Sequence, residues 1–360
     1  MGDFEEYKRL GEPEKKEKSE IWGIAVGLQQ TDGLTPSDYL IETAKRNIEG
    51  DITIKEVKER LNEYYKAKPV GKDNDRTEEA DKVSARITEV LSEKAFTFSP
   101  AEYLAIHKRL FEGIYKHAGK IRDYNISKAE WVLSGETVFY ASADSIMATL
   151  DYDFSQEKNH KYKGSSKEEI AEHIAKFISG VWQIHAFCEG NTRTSAVFLI
   201  KYLHTMGFNV TNDLFAENSW YFRNALVRAN YSDYNKGIIA TAEYLNRFFG
   251  NLLLGEKNVL KNREMLVNSN SGEDANDTVK PYDDTVNDTV KSRNDTVFLL
   301  IKGMPDITAA EIAEKMGIGI ATVKREIKRL KDCGAIERIG SDKAGSWNVL
   351  NGSGCEKNKR

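Results

Sequence analysis

Cysteines and long apolar runs are both scarce in this chain of 360 residues. Its three cysteines, Cys188, Cys333 and Cys355, are far apart and form no CxxC pair. That spacing excludes a disulfide framework and a four-ligand zinc site. No apolar run has the length needed to cross a membrane, and the charged residues 1–20 lack the apolar region of a signal peptide. We therefore expect a cytoplasmic protein without a membrane partner.

An excess of positive charge is also missing. The formal net charge is −4 at pH 7, so the chain as a whole has no general attraction for nucleic acid. Any binding of nucleic acid must therefore come from a local basic patch. The length is sufficient for two or three domains with a sizeable core.

The pattern along the chain predicts a mostly α-helical protein. Apolar residues recur at helical spacing up to residue 255, with one exception at 130–142, where two β-rich runs predict a hairpin. Later in the chain NDTV repeats occur, which cannot bury a face; whether they have a function is open. The predicted segments are a charged tail at 1–19, a helical module at 20–66, a linker and helix at 67–95, an aromatic-rich helical domain at 96–255, a flexible linker at 256–292, a compact domain at 293–350 and a tail at 351–360.

The compact domain at 293–350 has the pattern of a winged helix-turn-helix. Three helical patterns, the second with Thr308 as N-cap and Gly317 as its stop, precede two short strand patterns. Basic residues on the third helix and on the hairpin are the electrostatic footprint of a DNA reader. The alternative is a domain for protein contact with a solvated basic face. The residues expected to bind nucleic acid are Lys324, Arg325, Lys328, Arg329, Arg338 and Lys343.

The decapeptide HAFCEGNTRT at 185–194 is strongly polar, yet it lies between two apolar helical patterns. A helix that begins just after Gly190 and Asn191 would present unpaired backbone N–H groups and the positive end of its dipole. Glycine lets a phosphate approach the backbone closely, and Arg193 could bind a further phosphate. The pattern therefore predicts an anion-binding site.

Two other residues of the decapeptide bear chemistry. Glu189 would repel a phosphate directly but could hold Mg²⁺ that bridges phosphate oxygens, and His185 is a natural general base for a hydroxyl nucleophile. Together they indicate phosphoryl or nucleotidyl transfer. One alternative is a nucleophile formed by Cys188 and His185, which the adjacent negative charge disfavours. The other is a set of helix caps and salt bridges without catalysis.

The decapeptide resembles the signature of the Fic family, H-x-F-x-[DE]-G-N-G-R-x-x-R. The matching residues are His185, Phe187, Glu189, Gly190, Asn191 and Arg193. The resemblance extends over 96–250: residues 96–126 resemble the upstream helices and the Gly-Lys-x-Arg turn, the predicted hairpin stands where the family has its flap, and WYFRNALVRAN at 220–230 resembles the helix that lines the nucleotide pocket. It implies a Fic-type helical core with a β-hairpin flap, followed by the winged helix domain.

The resemblance implies transfer of AMP from ATP to a hydroxyl side chain of a target protein, or of the chain itself, with release of pyrophosphate. The cofactors would be ATP and Mg²⁺, and a homodimer is a further expected assembly. His185 would be the catalytic base, Phe187 the anchor of the motif and Glu189 the metal ligand. The residues expected to bind the nucleotide are Gly190, Asn191, Thr192, Arg193, Phe222 and Asn230. The flap, at Thr137, Val138 and Phe139, would clamp the target segment as an added strand.

Two positions depart from the family pattern. Thr192 stands where the family has glycine, and Ala196 stands where it has a final arginine. The Doc branch has lysine at the first position and phosphorylates proteins, so protein kinase activity is an alternative. The missing arginine should weaken the hold on ATP, because it removes a charged hydrogen bond. A further alternative is a DNA-binding transcriptional regulator whose Fic domain is a degenerate nucleotide sensor.

The helical module at 20–66 loosely resembles the antitoxin modules of some Fic proteins. The family's inhibitory motif, (S/T)-x-x-x-E-(G/N), has no strict match in the chain. The nearest candidate, Asp32-Gly33, lacks a Ser or Thr four residues earlier. Either the module inhibits through another contact or it is a structural cap. We expect deletion of 1–66 to change stability more than rate.

Overall fold

The structure is a computed structural model that describes residues 3–67, 76–210, 213–267, 297–298, 300–301, 304–316, 320–332, 334–339 and 346–350. The chain divides into two compact units. Among the described residues, the first holds those up to 267 except Asp123–Ser127, and the second holds Asp123–Ser127 and those from 297 onward. Most of the predicted linker and the whole tail at 351–360 lie outside the described residues. Within those that are described, no helix is long and apolar enough to cross a membrane.

The first unit is built from helices. Its α-helices are α1 Glu5–Leu10, α2 Pro13–Gly27, α3 Asp38–Glu49, α4 Ile54–Ala67, α5 Thr77–Ser92, α6 Pro100–Phe111, α7 Ile146–Asn159, α8 Lys167–Ile184, α9 Asn191–Thr205, α10 Leu214–Ala229 and α11 Glu243–Phe249. Single 3₁₀ turns lie at Leu28–Asp32, Trp131–Leu133, Ala143–Ser145, Tyr234–Lys236 and Asn262–Met265, and a π turn lies at Gly250–Leu254.

The described residues from Asp3 onward are largely helical, so the prediction of a charged tail at 1–19 is wrong. α1 and most of the first half of α2 lie in that range, and Phe4 is buried against the N-terminal helices. The second half of α2 belongs to the main core of the unit. Gly27 there lies so close to the Ala216 backbone of α10 that a side-chain carbon would overlap it. The charge of this segment indicates that it faces solvent, but it gives no sign that Phe4 is buried.

Two core helices hold the polar decapeptide, as the sequence predicted. α8 begins with a full capping box, in which Ser166 and Glu169 satisfy each other's backbone N–H groups. It buries one apolar face that ends at Trp182 and Ile184. α9 is buried on every side from Asn191 to Leu203, which is typical of a central helix.

The hairpin predicted at 130–142 does not form. Trp131–Leu133 is a 3₁₀ turn with Val132 and Leu133 buried, and residues 136–142 form no ladder of paired strands. The first unit also extends further than predicted. Met265 is buried in the main core and the backbone N–H of Val267 donates to Val132, so the linker does not begin at 256.

The second unit is the predicted winged helix-turn-helix. α12 (Ala309–Met316) and α13 (Ile320–Asp332) precede an antiparallel pair, β1 (Ile336–Ile339) and β2 (Ser346–Val349), in which Ile336 pairs with Val349. Thr308 and Glu311 form a capping box at the start of α12, which confirms Thr308 as the N-cap. The unit has its own core, formed by Val297, Phe298, Ile301, Ile307, Ile312, Ala313, Val323, Ile327, Leu330, Ala335 and Ile336.

Candidate active site

The decapeptide forms the loop between α8 and α9. His185 ends α8 and Gly190 precedes α9, and both have left-handed backbone angles, with φ of 50° and 74°. Arg122 fastens the loop, because its Nε donates to the His185 carbonyl at 2.7 Å and its backbone N–H donates to Ala186 at 3.0 Å. This arginine belongs to the Gly-Lys-x-Arg turn, so its position was visible in the sequence although its role was not.

Phe187 packs the loop against α6. Its buried ring stacks on His107 with centroids 3.6 Å apart. The Asn191 side chain accepts from Phe187 N at 2.9 Å and donates to Phe187 O at 2.8 Å. This side-chain amide therefore has a structural role in the loop.

His107 bridges two loops and has a defined tautomer. Its Nδ1 accepts from Gly119 N at 2.8 Å, so Nε2 carries the proton and donates to the Glu189 carbonyl at 3.0 Å. Burial lowers the pKa of His107 to about 3. It therefore stays neutral and supports the loop that carries the motif.

His185 is buried between two aromatic rings. The Tyr140 ring lies 4.1 Å from its imidazole and the Trp182 ring lies 5.5 Å away, edge-on. Neither ring nitrogen has a hydrogen-bond partner among the described residues. Burial holds the pKa of His185 well below its usual range, and the positive charges of Lys128, Arg122 and Arg223 lower it further. The imidazole is thus neutral, the form that accepts a proton.

Glu189 lies beside a positive charge. Its Oε2 is 3.4 Å from Nζ of Lys128, and about a fifth of its side chain is exposed (22%). The described residues hold no group of three acidic, histidine or cysteine side chains that could enclose a metal ion. A single carboxylate fits Mg²⁺ only where substrate phosphates supply other ligands, which is how this ion is commonly held.

The N-terminus of α9 is a candidate anion site, although its first residues, Asn191, Thr192 and Arg193, are buried. In the described structure no side chain caps it, and the first N–H groups of a helix have no acceptor within the helix. The Thr192 side chain is engaged elsewhere, because its hydroxyl accepts from Nε1 of Trp182 at 2.9 Å. Backbone amides, rather than the Thr192 hydroxyl, are therefore the donors that a phosphate would meet.

Arg193 does not lie at an open phosphate position, in contrast to the prediction. It is fully buried, and its Nε is 2.5 Å from Oδ2 of Asp32, at an angle outside the hydrogen-bond range. One Nη donates to Glu79 at 2.6 Å and the other donates to Gln29 at 3.0 Å. The guanidinium also lies 4.7 Å from the Phe111 ring. Asp32 lacks the sequence context of the inhibitory motif, yet the tertiary fold brings it to this arginine.

The carboxylate of Glu79 forms the centre of this cluster. Burial would raise the pKa of Glu79, but the charges of Arg193 and Arg76 lower it to about 2. Tyr115 donates to the same carboxylate at 2.5 Å. Arg193 is therefore held by two carboxylates, one from the turn after α2 and one from α5.

Two predicted nucleotide contacts are engaged within the fold instead. Phe222 is fully buried, with its ring about equally close to Phe215 and Phe248, at 5.2 and 5.0 Å. It therefore presents no surface to a ligand. The Asn230 amide donates to Oγ of Ser179 at 2.8 Å, which fastens the end of α10 to α8.

The predicted flap residues have three different environments. The Thr137 hydroxyl accepts from Lys128 N at 3.0 Å, Val138 is buried, and Phe139 is 79% exposed. Tyr140, which the sequence analysis did not single out, is the residue of this segment that reaches His185.

Comparison with known proteins agrees with this geometry. Residues 97–203 match the family model described as Fic/DOC family, and residues 293–343 match that of an HTH domain. The chain carries a Fic domain. A protein of Sinorhizobium fredii described as a probable protein adenylyltransferase is 31% identical over 111 residues, which are 31% of this chain and 55% of that protein. The chain thus matches only about half the length of this relative.

Solved Fic structures show low similarity. The N-terminal FIC domain of a VirB-translocated effector from Bartonella sp. 1-1C is 17% identical, with a TM-score of 0.35, over 56% of this chain and 82% of that one. A Fic family protein from Desulfovibrio desulfuricans is 14% identical, with a TM-score of 0.42, over 98% of this chain and 92% of that one.

The HTH domain presents part of the predicted basic surface. Lys324 and Lys328 are exposed on α13, and the Arg338 guanidinium lies 4.5 Å from the Trp347 ring of the wing. The side chains of Arg325, Arg329 and Lys343 lie outside the described residues, so their expected role stays a prediction.

Outside the Fic motif, the sequence analysis missed the partners that shape the site. Glu79, Tyr115 and Lys128 come from other segments, and no local pattern connects them with the motif. Glu79 contacts Arg193 across 114 residues of sequence. An ion pair of that separation has no signature in a single sequence.

Proposed function

We propose that the Fic domain transfers AMP from ATP directly to a hydroxyl side chain of a protein, with His185 as the base. The observation that supports this most is the neutral, buried imidazole of His185, with both nitrogens unpartnered among the described residues, on the same short loop as the N-terminus of α9, which no side chain caps. A base and an anion site on one loop suit the attack of a hydroxyl on a bound phosphate.

In this proposal the hydroxyl oxygen attacks the α-phosphorus of ATP. A new P–O bond forms, the bond between the α-phosphorus and the bridging oxygen breaks, and pyrophosphate leaves. His185 takes the hydroxyl proton. The backbone N–H groups at the start of α9 stabilise charge on the phosphate oxygens. Glu189 would hold Mg²⁺, which supplies positive charge to the phosphates, once Lys128 gives up its contact with that carboxylate.

Arg193 can join this reaction only after a rearrangement. In the described conformation it faces Asp32 and Glu79, and it has no exposed surface. We infer that this conformation is a low-activity one, in which the turn Leu28–Asp32 withholds a phosphate ligand. The helical module at 20–66 would then inhibit through a contact other than the family's inhibitory motif, rather than serve only as a structural cap.

The proposal is tested with purified full-length chain, labelled ATP and Mg²⁺, with and without a lysate of the host. The mass added to protein distinguishes the alternatives. Addition of AMP indicates AMP transfer, addition of phosphate indicates kinase activity, and no addition indicates a nucleotide sensor. The variant His185→Ala should lower transfer by roughly 10²–10⁴-fold and keep nucleotide binding. The matched control is His204→Ala, which changes a histidine on α9 away from the loop. Transfer by His185→Ala at the wild-type rate would exclude this base.

We also propose that the HTH domain binds duplex DNA. The exposed Lys324 and Lys328 on α13 support this, since α13 is the recognition helix of the motif. Electrophoretic or fluorescence titration of DNA with the full chain tests it, and the absence of binding at low salt would exclude it.

A further inference from the structure

The base is covered by one side chain of the segment that precedes α7. The Tyr140 ring lies 4.1 Å from the His185 imidazole, with an angle of 36° between the planes, and His185 is almost completely buried. The backbone on both sides of this tyrosine is fastened. Gln183 donates to the Phe139 carbonyl at 3.1 Å, and Arg122 donates to the Ala141 carbonyl.

The hydroxyl of Tyr140 is held by a buried ion pair. It donates to Oε1 of Glu130 at 3.0 Å, and Oε2 of Glu130 accepts from Arg223 of α10 at 2.6 Å. Both charged side chains are buried, Glu130 completely. A buried carboxylate that pairs with an arginine is costly to break, so this ion pair is a rigid support for the tyrosine hydroxyl.

We propose that Tyr140 is a positioning residue for His185, a role that rests on the function proposed above. Its ring covers the imidazole and restricts its orientation, and the Glu130–Arg223 ion pair holds the ring in place through the hydroxyl. The covered imidazole has no hydrogen bond of its own among the described residues. Packing against Tyr140 and Trp182 is therefore what orients it. Tyr140 must move aside, or share its place with the acceptor side chain, before a hydroxyl reaches the base.

The test measures access to His185 without requiring activity. Diethyl pyrocarbonate acylates accessible neutral imidazoles, and peptide masses report the rate at His185. In Tyr140→Phe the ring remains but the bond to Glu130 is lost. Acylation of His185 in this variant should be about tenfold faster. The lost hydrogen bond to the charged Glu130 no longer favours the conformation in which the ring covers His185. In Tyr140→Ala the cover is gone, and acylation should be faster still.

Tyr202→Phe is the matched control, since that hydroxyl also donates to a buried carboxylate, Glu157, at 2.6 Å, away from His185. It should leave the acylation rate at His185 unchanged. Wild-type rates in both Tyr140 variants would overturn the proposal. So would an equal acceleration in Tyr202→Phe, because general loosening would then explain the effect.

A second readout separates positioning from stability. In Tyr140→Phe and Tyr140→Ala, kcat for AMP transfer should fall while KM for ATP stays near the wild-type value, because the nucleotide site lies at the N-terminus of α9. An unchanged kcat together with faster acylation would also overturn the positioning role. If the wild-type chain transfers no AMP, the proposed function fails, and the acylation rates still decide whether Tyr140 covers His185.

Discussion

Gly190 combines a left-handed backbone with direct contact to an aromatic ring. Its φ is 74°, and an added side-chain carbon would overlap the Phe111 ring. Gly207 has a similar φ of 84° but open space around it. Gly207→Ala should therefore cost about 1–2 kcal/mol, the cost of the left-handed backbone alone. Gly190→Ala should cost roughly 1–3 kcal/mol more, through overpacking.

Urea unfolding of the two variants measures the difference between them. Equal losses of unfolding free energy would show that the Phe111 ring moves aside freely. A larger loss in Gly190→Ala would show that the loop is packed against α6 as described.

His107 should make the protein sensitive to mild acid. Its pKa in the folded chain is about 3, and that of an unfolded histidine is about 6.5. Between these values the unfolded chain binds more protons, so the free energy of unfolding falls as the pH falls from 6.5 towards 3. His107→Gln should reduce the slope by up to about 1.4 kcal/mol per pH unit. Urea titrations between pH 5 and 7 measure it, and parallel curves for the two proteins would contradict the assignment.

At the residue scale, the sequence predicted what depends on neighbours along the chain. His185, Phe187 and Gly190 all lie within one decapeptide, where spacing determines geometry. The partners of Arg193 come from the turn after α2 and from α5, and Tyr140 comes from a segment whose β-rich pattern pointed to strands. Those contacts depend on tertiary packing, which a local pattern does not contain.

The turn Leu28–Asp32 and helix α5 together restrain Arg193. Asp32→Asn should weaken this restraint, and the double variant Asp32→Asn, Glu79→Gln should remove most of it. The freed arginine can then bind phosphate, so ATP affinity should rise about tenfold or more in the double variant. The increase of Tm on adding ATP should also exceed that of the wild type.

Glu49→Gln provides the control, because Glu49 pairs with Lys15 on the surface of the same module at 2.6 Å. It should leave ATP affinity unchanged. Calorimetric titration measures the affinities. If the double variant binds ATP as the wild type does, the cluster around Arg193 is structural only, and the expectation that deleting 1–66 affects stability more than rate would stand.

At the element scale, long apolar spacing predicts a helix even where no side chain caps it. α5, α8, α9, α12 and α13 lie where the sequence places them, although in the described structure no side chain caps α5 or α9. The segment 130–142 has the pattern of a hairpin because two β-rich runs flank Ser134, Gly135 and Glu136. In the structure Val132 and Leu133 instead fill the core from a 3₁₀ turn, and Glu130 turns inward to Arg223.

The whole molecule joins a Fic domain to an HTH domain that has a separate core. Replacing Lys324, Arg325, Lys328 and Arg329 by Gln should abolish DNA binding and leave AMP transfer to a free target intact. Wild-type affinity for DNA should fall as salt rises, since each phosphate contact releases counterions and contributes a slope of about −0.9. Fluorescence anisotropy at several salt concentrations measures this. Salt-independent binding would contradict a phosphate-based interface.

The packing of α2 against α10 has a consequence for the synthesis of the protein. The Ser219 hydroxyl donates to the Gly27 carbonyl across 192 residues of sequence. At about 5–20 residues per second, the ribosome adds those residues in roughly 10–40 s. For that time the apolar face of the nascent α2 has no α10 to cover it. Chaperones that bind exposed apolar helices would therefore meet this chain early, and a ribosome stalled before residue 214 would leave a product that cannot complete its core.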